Sequence, residues 1–303
     1  MFQESRILFY HAVSPVHMGA GTAVGGLVDN PIQRERHTGH PVFAGSGLKG
    51  AVRAAFAESD LKKELETKGL TITEVFGPET TNAHEHAGAV AFTDAQLLLF
   101  PVRSLKSAFV YTTSPTALAR AERLLRLAGK APDWTIPRPQ AGAATVSERH
   151  SLVDGQLVLE TFTFGAAVDD GAKRIATWLA ENAFPEDDGF RFFREKIQRD
   201  LVVLNDEDFS HFVETGTVVE PHVRIDDVSG TADDGGLFYT ENLPPESVMI
   251  GAFLASRSRK KKENGAPSAR EIADGLTAAL DGRLVQVGGD ATTGRGQVVL
   301  RVI

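Results

Sequence analysis

The sequence predicts an α+β fold, and three observations support this prediction. Both ends of the chain contain β-branched and aromatic runs typical of strands, RILFYHAV at 6–13 and GRLVQV at 282–287. After the first glycine-rich loop, the apolar residues Leu48, Val52 and Phe56 recur at helical spacing. Further helical patterns lie between the two ends. We therefore expect a sheet that both ends of the chain help to build, with large insertions between them.

The composition allows a buried core and excludes several classes of site. The 303 residues are 42% hydrophobic and include no cysteine. Disulfide bonds, zinc sites with thiolate ligands and cysteine nucleophiles are therefore excluded. The N-terminus has no apolar stretch of signal-peptide length, and no window approaches the roughly 20 apolar residues that span a bilayer. We expect a cytoplasmic protein that has no membrane partner.

The overall charge argues against a chain that binds nucleic acid over its whole surface. The 40 Asp and Glu residues outnumber the 32 Lys and Arg residues, which gives a formal net charge of -8. Domains that bind phosphate backbones are usually basic. Many acidic residues fall between 169 and 234, so any RNA-binding face has to be local. The basic run RSRKKK at 257–262 contributes only weakly to such a face.

Local patterns place the remaining elements along the chain. A helix begins near Ser46, and residues 114–130 have the amphipathic pattern of a second helix. Asp154-Gly155 is typical of the turn of a β-hairpin. Residues 171–213 are predicted to be mainly helical. The chain ends in two predicted strands around a glycine-rich loop.

Two glycine-rich loops, GSGLKGA at 45–51 and GGDATTGRGQ at 288–297, are candidates for phosphate contacts. Neither has the Gly-Lys-Ser/Thr ending of a P-loop, so ATP hydrolysis is not predicted. Each loop alone is also explained as a tight turn without a ligand. The basic residues Lys49, Arg53 and Arg295 in or beside these loops favour contacts with an RNA backbone.

The segment VDNPIQRERHTGHP at 28–41 places Asp29 close to several basic residues. One interpretation is a surface salt bridge. The other is a carboxylate beside a phosphate-binding surface, where it recruits a divalent cation or accepts a proton from a ribose 2′-hydroxyl. The residues alone leave both interpretations open.

Five segments together resemble the backbone subunit of type III-B (Cmr) CRISPR complexes, a family of the RAMP superfamily. They follow one another in the family's order over nearly the whole chain, and the second is highly specific. The segments are HMGAG at 17–21, VDNPIQRERHTGHPVFAGSGLKGAVR at 28–53, AFTDAQLLLFPVRSLKSAFVYTTSP at 91–115, LFYTENLPP at 237–245 and VQVGGDATTGRGQ at 285–297.

The resemblance implies a fold, a function and a set of partners. The fold is a single RAMP domain over 1–303, with a modified ferredoxin-like palm, similar to an RNA-recognition motif, formed mainly by the N- and C-terminal parts. Helical insertions occupy about 60–220, and a β-hairpin thumb occupies about 224–241. The implied function is to bind CRISPR guide RNA and to cleave the target RNA paired with it at regular intervals. Each thumb is implied to displace one base of the guide-target duplex. The implied partners are further copies of the chain and the other type III-B subunits.

The resemblance also assigns residues by position. Asp29 matches the family's acid at the cleavage site, and His17 matches the histidine near it. A divalent cation, magnesium, is implied at Asp29, although general-base catalysis by the same carboxylate stays open. The chain departs from the family pattern at His222, where a smaller polar residue is expected. The implied RNA-binding residues are Gln33, Arg34, Arg36, Lys49, Arg53, Arg224, Gly289, Thr292, Thr293 and Arg295.

The residues leave two other functions open. The chain could be a structural backbone that binds guide RNA and cuts nothing, and Asp29 is the residue that argues against this. Alternatively, it could be a guide-processing endoribonuclease that uses a histidine such as His17 as general base without a metal. Cutting of repeat RNA by the isolated chain in chelator would favour the processing enzyme.

Overall fold

The computed structural model describes residues 2–22, 27–58, 61–82, 84–260 and 265–303. These residues form a mixed fold of sheets and helices, which confirms the coarse prediction that the chain combines both kinds of element. Two lysines of the basic run at 257–262, Lys261 and Lys262, lie outside the described residues.

The strands in the described residues are numbered in chain order. They are β1 (Glu4–Ala12), β2 (Val42–Phe43), β3 (Val90–Phe92), β4 (Ala95–Ser104), β5 (Ala108–Thr113), β6 (Ala143–Val146), β7 (Gln156–Leu159), β8 (Phe162–Val168), β9 (Leu201–Leu204), β10 (Val218–Ile225), β11 (Ala232–Asn242), β12 (Val248–Ala255), β13 (Leu284–Gln286) and β14 (Gln297–Val302).

The α-helices of the same residues are numbered in the same way. They are α1 (Gly45–Glu58), α2 (Leu61–Thr67), α3 (Ile72–Phe76), α4 (Pro115–Leu127), α5 (Asp170–Asn182), α6 (Arg191–Asp200), α7 (Asp206–Thr215) and α8 (Ala269–Leu280). Within this part of the chain, no helix combines the length and apolar character needed to cross a bilayer.

The two ends of the chain meet in an antiparallel sheet with the order β14-β1-β12-β4. Strand β1 is central and buried on both faces, because successive side chains alternate between two cores. Leu8 and Tyr10 join the core that includes apolar residues of α1 and α8. Ile7 and Phe9 join the second core, to which α4 and α5 contribute. Burial on both faces fixes β1 between two layers of helices.

The insertion between β4 and β10 contains a closed ring of strands in addition to the helices that the resemblance implies. The ring has the order β4-β5-β9-β6-β8-β7 and returns to β4 through the pair Ser104 and Leu159. One of its strands, β9, lies within the stretch predicted to be mainly helical. It is a four-residue apolar run, LVVL, that is buried throughout. So short an apolar run does not distinguish a strand from part of a buried helix.

Strands β10 and β11 form a separate two-stranded antiparallel hairpin over residues 218–242. The hairpin begins at Val218 and not near residue 224, because the alternating residues before Arg224 already pair with β11. Several of its apolar side chains are exposed, among them Val223, Ile225 and Leu237. Its base lies against the segments that carry the predicted catalytic residues.

Candidate active site

The outer edge of β11 holds the segment that carries Asp29. The backbone nitrogens of Asp29 and Asn30 donate to the carbonyl oxygen of Tyr239 at 3.1 and 3.0 Å, and Glu241 N donates to the oxygen of Asn30 at 3.0 Å. Tyr239 N donates in turn to Oδ2 of Asp29 at 2.8 Å. The carboxylate is exposed, and its Oδ1 makes no hydrogen bond to a described residue. The backbone therefore positions Asp29 while one carboxylate oxygen stays accessible.

His17 is anchored on the same edge of β11. Its Nδ1 lies 2.7 Å from the backbone oxygen of Glu241. A carbonyl oxygen only accepts hydrogen bonds, so Nδ1 carries the hydrogen of the neutral ring, and Nε2 keeps its lone pair. Gly19 leaves room for this ring, because a Cβ atom there would lie 2.8 Å from Nε2. The neutral ring is thus in the tautomer that accepts a proton at Nε2.

The anchors of Asp29 and His17 are two positions apart on one strand. Tyr239 and Glu241 are therefore separated by about 7 Å along β11. Their backbone groups point away from β10, since β11 bonds its partner strand through alternate residues. The structure thus brings the two predicted catalytic residues to one edge of β11, although both residues are distant from β11 in sequence.

Glu241 joins the hairpin to the segment that follows Asp29. Its carboxylate accepts hydrogen bonds from Ile32 N at 3.0 Å, Arg34 Nη2 at 2.5 Å and Thr217 Oγ1 at 2.8 Å. The residue is 7% exposed, so these partners replace the water that the charge loses. Glu241 was not among the predicted site residues, and its sequence signal is its place in LFYTENLPP.

The first group of predicted RNA-binding residues divides into engaged and free side chains. Arg34 donates to Glu241 and also to the oxygen of Gly39 at 2.7 Å, so its guanidinium already has partners within the protein. Gln33 donates through Nε2 to the oxygen of Gly19 at 2.9 Å. Arg36 is exposed and makes no ion pair with a described residue. Arg36 is therefore the freer of the two arginines in this segment.

Two predicted RNA-binding residues lie on α1, whose first turn packs beside the segment of His17. A Cβ atom at Gly47 would lie 3.4 Å from the side chain of Met18. Lys49 is half-buried, and this burial, with a smaller contribution from Arg53, lowers the pKa of its ammonium group. Lys49 makes no ion pair with a described residue, whereas Arg53 donates to Glu79 at 2.9 Å. An anion near Lys49 would oppose both the burial and the repulsion from Arg53, because it favours the charged ammonium group.

The second glycine-rich loop runs against His17. Gly289 N donates to the backbone oxygen of His17 at 2.9 Å. Gly288 has a φ of +80°, and a Cβ atom there would lie 2.2 Å from the same oxygen, so a side chain does not fit. Thr292 is exposed. This close approach brings Thr293 and Arg295, both of which line the cleft described next, to the side of His17.

A cleft of about 200 Å³ lies between the base of the hairpin, the second glycine-rich loop and His17. Arg295 and Glu220 form an ion pair within its lining. Arg224, the remaining predicted RNA-binding residue, is exposed further out on β10. The cleft is lined by His17, Asn30, Glu220, His222, Phe238, Thr240, Asn242, Asp290, Thr293 and Arg295.

The match of the chain to known proteins identifies its family. A model of the RAMP superfamily matches residues 9–299. The CRISPR system Cmr endoribonuclease Cmr4 of Pyrococcus furiosus is 35% identical over 289 residues, which cover 95% of this chain and 92% of that protein. The chain belongs to the RAMP superfamily and, within it, to the Cmr4 family.

Other Cmr4 proteins agree with this assignment. The CRISPR system CMR subunit Cmr4 of Saccharolobus solfataricus is 25% identical over 309 residues, with 97% of this chain and 94% of that protein covered. The crystal structure of oligomeric Cmr4 from Pyrococcus furiosus superposes with a TM-score of 0.72 at 28% identity, covering 99% of this chain and 98% of that chain. The Cmr4 likeness therefore extends over the whole fold, including the ring of strands in the insertion.

The donor set at Asp29 limits how this Cmr4-family chain could hold a cation. Among the described residues, no group of three or more His, Asp or Glu side chains is arranged around one point. Magnesium keeps several waters and is often bound by one or two carboxylates together with substrate phosphates. The single accessible carboxylate of Asp29 fits that mode of binding, in which the RNA supplies further oxygens.

Proposed function

We propose that this chain is the repeated guide-RNA-binding backbone subunit of a type III-B CRISPR effector complex, and that it cleaves the target RNA paired with the guide. The observation that carries this proposal is the anchoring of Asp29 and His17 on one edge of β11, beside a cleft. The Cmr endoribonuclease of Pyrococcus furiosus, 35% identical, supports the nuclease activity. The crystal structure of oligomeric Cmr4 from the same organism supports the presence of repeated copies.

The architecture supports a single RAMP domain with a modified ferredoxin-like palm. In the sheet order β14-β1-β12-β4, helix α1 follows β1 and helix α8 follows β12 along the chain. These elements reproduce the β-α-β-β-α-β succession of that fold. The hairpin of β10 and β11 corresponds to the thumb. The largest insertion lies between β4 and β10, and a smaller one with α2, α3 and β3 lies between α1 and β4. The chain can therefore present a palm and a thumb to RNA from one body.

RNA carries its own nucleophile, so the protein has to align it and manage protons. Cleavage forms a bond from the 2′-oxygen to phosphorus and breaks the bond from phosphorus to the 5′-oxygen. The 2′-hydroxyl gives up a proton, and the leaving 5′-oxygen gains one. The hairpin, acting as the thumb, would displace one base of the guide-target duplex, and this frees the backbone to bring these three atoms into line. Once the 2′-oxygen, the phosphorus and the 5′-oxygen are in line, the protein has little covalent chemistry left to perform.

Asp29 or His17 would take the proton that the 2′-hydroxyl gives up, and the protonated side chain or water would supply the proton that the 5′-oxygen gains. Nε2 of neutral His17 has a free lone pair, and Oδ1 of Asp29 is accessible, so each can accept a proton. A magnesium ion held by Asp29 and by phosphate oxygens would neutralise developing charge on the phosphate. Arg36, Lys49 and Arg224 are exposed or half-buried cations without ion-pair partners among the described residues, which suits contacts with the RNA backbone.

The partners in this proposal are guide RNA, target RNA, further copies of the chain and the other type III-B subunits, in the cytoplasm. The acidic overall charge means that RNA contacts come from local cations. Assembly on guide RNA should therefore weaken as the salt concentration rises.

The test is reconstitution of the complex with guide RNA and an end-labelled target, in magnesium and in chelator. Products at regular intervals that appear only in magnesium support both the nuclease and the cation. Intact target that stays bound in magnesium would establish a purely structural backbone. Cutting of repeat RNA by the isolated chain in chelator would instead establish a guide-processing enzyme.

A further inference from the structure

The cleft beside His17 contains a buried amide that the proposed cleavage chemistry does not use. Asn242 is 1% exposed, yet neither its Nδ2 nor its Oδ1 has a hydrogen-bond partner among the described residues. Its side chain shares one face of β11 with Phe238 and Thr240, and all three line the cleft. A buried amide without partners is costly, and native proteins retain few of them. Asn242 therefore points to a ligand that supplies a donor and an acceptor.

The neighbouring wall of the cleft is aromatic. The rings of His222 and Phe238, which pair across β10 and β11, stack with centroids 5.0 Å apart and planes 16° from parallel. Phe238 is 37% exposed, so part of this aromatic surface is free to contact a ligand. Exposed aromatic rings are the usual stacking platforms for unpaired bases. The volume of about 200 Å³ admits one heterocyclic base but no base pair.

The amide and the aromatic wall together define one class of ligand. An asparagine amide presents a donor beside an acceptor, which matches the edge of a nucleobase. Arg295 and Thr293 of the second glycine-rich loop also line the cleft and provide polar groups for the attached backbone. We propose that the cleft receives a single unpaired nucleobase of the bound RNA, stacked against the His222–Phe238 pair with its edge hydrogen-bonded to Asn242.

This inference rests on the proposed function and adds a fate for the displaced base. His17 and Asn30, the neighbour of Asp29, line the same cleft, so a base held there would lie next to the residues proposed to take part in cleavage. Capture of the base would then hold the backbone in the extended form that cleavage requires. The cleft is thus a positioning site for the reaction, and its occupant comes from either the guide or the target strand.

The test compares a mismatched base with an abasic residue at each position, in target RNA in one arm and in guide RNA in the other. At paired positions, both changes should weaken target binding. At the position whose base occupies the cleft, a mismatch keeps a base and should be tolerated, whereas an abasic residue should weaken binding about tenfold. That position should recur at the interval of the cleavage products, and the arm in which it appears identifies the strand.

Two variants connect the effect to the cleft. In Asn242→Leu and in Phe238→Leu, the abasic residue should be tolerated as well as the mismatch. Val223→Ala, on the opposite face of the hairpin, should keep the tenfold difference. Without RNA, Asn242→Leu should melt at or above the temperature of the wild-type chain, because it removes unpaired buried polar atoms. Phe238→Leu changes an exposed ring, so it reports on the cleft even if Asn242→Leu folds poorly.

The outcomes separate this inference from the proposed function. A complex that cuts its target but shows no position where mismatch and abasic residue differ overturns the base site alone. The base site is also overturned if Asn242→Leu and Phe238→Leu both keep a position at which an abasic residue weakens binding and a mismatch does not. A complex that neither binds nor cuts target overturns the proposed function, and the base site with it.

Discussion

Nδ1 of His17 lies 2.7 Å from the backbone oxygen of Glu241. This bond sets the tautomer of the imidazole and ties it to the base of the hairpin. Two residues earlier on the same strand, Tyr239 holds Asp29 through both its nitrogen and its oxygen. The element proposed to displace a base from the guide-target duplex thus also carries the anchors of the catalytic groups. Movement of the hairpin and assembly of the active site are therefore coupled.

A side chain at Gly19 should disturb catalysis more than stability. In Gly19→Ala, the new Cβ would lie 2.8 Å from Nε2 of His17, so the ring has to turn and its bond to Glu241 weakens. We expect target cleavage to fall by about tenfold or more, as for a misplaced proton acceptor. Cleavage rates of reconstituted complexes test this, together with thermal melting of the chain.

Gly165→Ala is the matched control for that variant. Gly165 lies in β8, and no atom beyond its chain neighbours lies within 4 Å of the position of a Cβ there. This control should cut at the wild-type rate. If Gly19→Ala also cuts at the wild-type rate while it melts normally, His17 has no catalytic part.

Lys49 should bind RNA without regard to sequence. Lys49→Ala removes a half-buried cation with no ion-pair partner among the described residues, so it should weaken RNA binding alike for unrelated sequences. The slope of log K against log salt should also decrease by about 1. Adding Arg53→Ala should weaken binding further, since its pair with Glu79 is exposed and contributes little to stability. Exposed Lys68→Ala serves as the control, and affinity equal to that control would remove Lys49 from the interface.

Glu246 should make stability depend on pH. Burial raises its pKa to about 7 from the ordinary 4.5, while the contact with Tyr111 and the charge of Lys196 oppose the rise. The folded state therefore binds this proton more tightly than the unfolded state. Its contribution to the free energy of unfolding is complete below pH 4.5 and is lost as the pH rises to about 7. Glu246→Gln should remove this loss.

The measurement is the difference in unfolding free energy between wild type and Glu246→Gln from pH 5 to pH 8. Burial lowers the pKa of His11 to about 4, which gives an opposite slope up to pH 6.5 in both proteins and cancels in the difference. The unfolding free energy of Glu246→Gln should increase relative to that of the wild type as the pH rises. Exposed Glu148→Gln corrects for loss of a surface charge. A difference that stays constant over this range would contradict the burial argument for Glu246.

Local patterns predicted several elements but misplaced one turn. The helix expected near Ser46 begins at Gly45, and the last two strands flank the predicted glycine-rich loop. Asp154-Gly155 does form a tight turn, with a bridge between Val153 and Gln156. The longer hairpin of β7 and β8, however, turns at Glu160, which has a φ of +50°. Glutamate is not a turn-forming residue, so the sequence carried no signal for it.

Long-range contacts were the other limit of sequence reasoning. Asp29 and His17 were assigned by resemblance, but the strand edge that unites them was not readable from pattern. Glu241 was missed because its partners, Ile32, Arg34 and Thr217, come from separate parts of the chain. No local periodicity records such a contact, since only the folded sheet brings these segments together.

The most direct test of the account is target cleavage by complexes that carry Asp29→Asn or Asp29→Ala, measured beside target binding. The asparagine retains an oxygen that can accept from Tyr239 N, so it removes the charge while it preserves the anchor. Cleavage should fall by about 100-fold or more at every position in both variants. Guide loading and target binding should stay near wild type, as in the exposed control Asp133→Ala. Cleavage by either Asp29 variant at the wild-type rate would contradict the assignment of Asp29 as a catalytic residue.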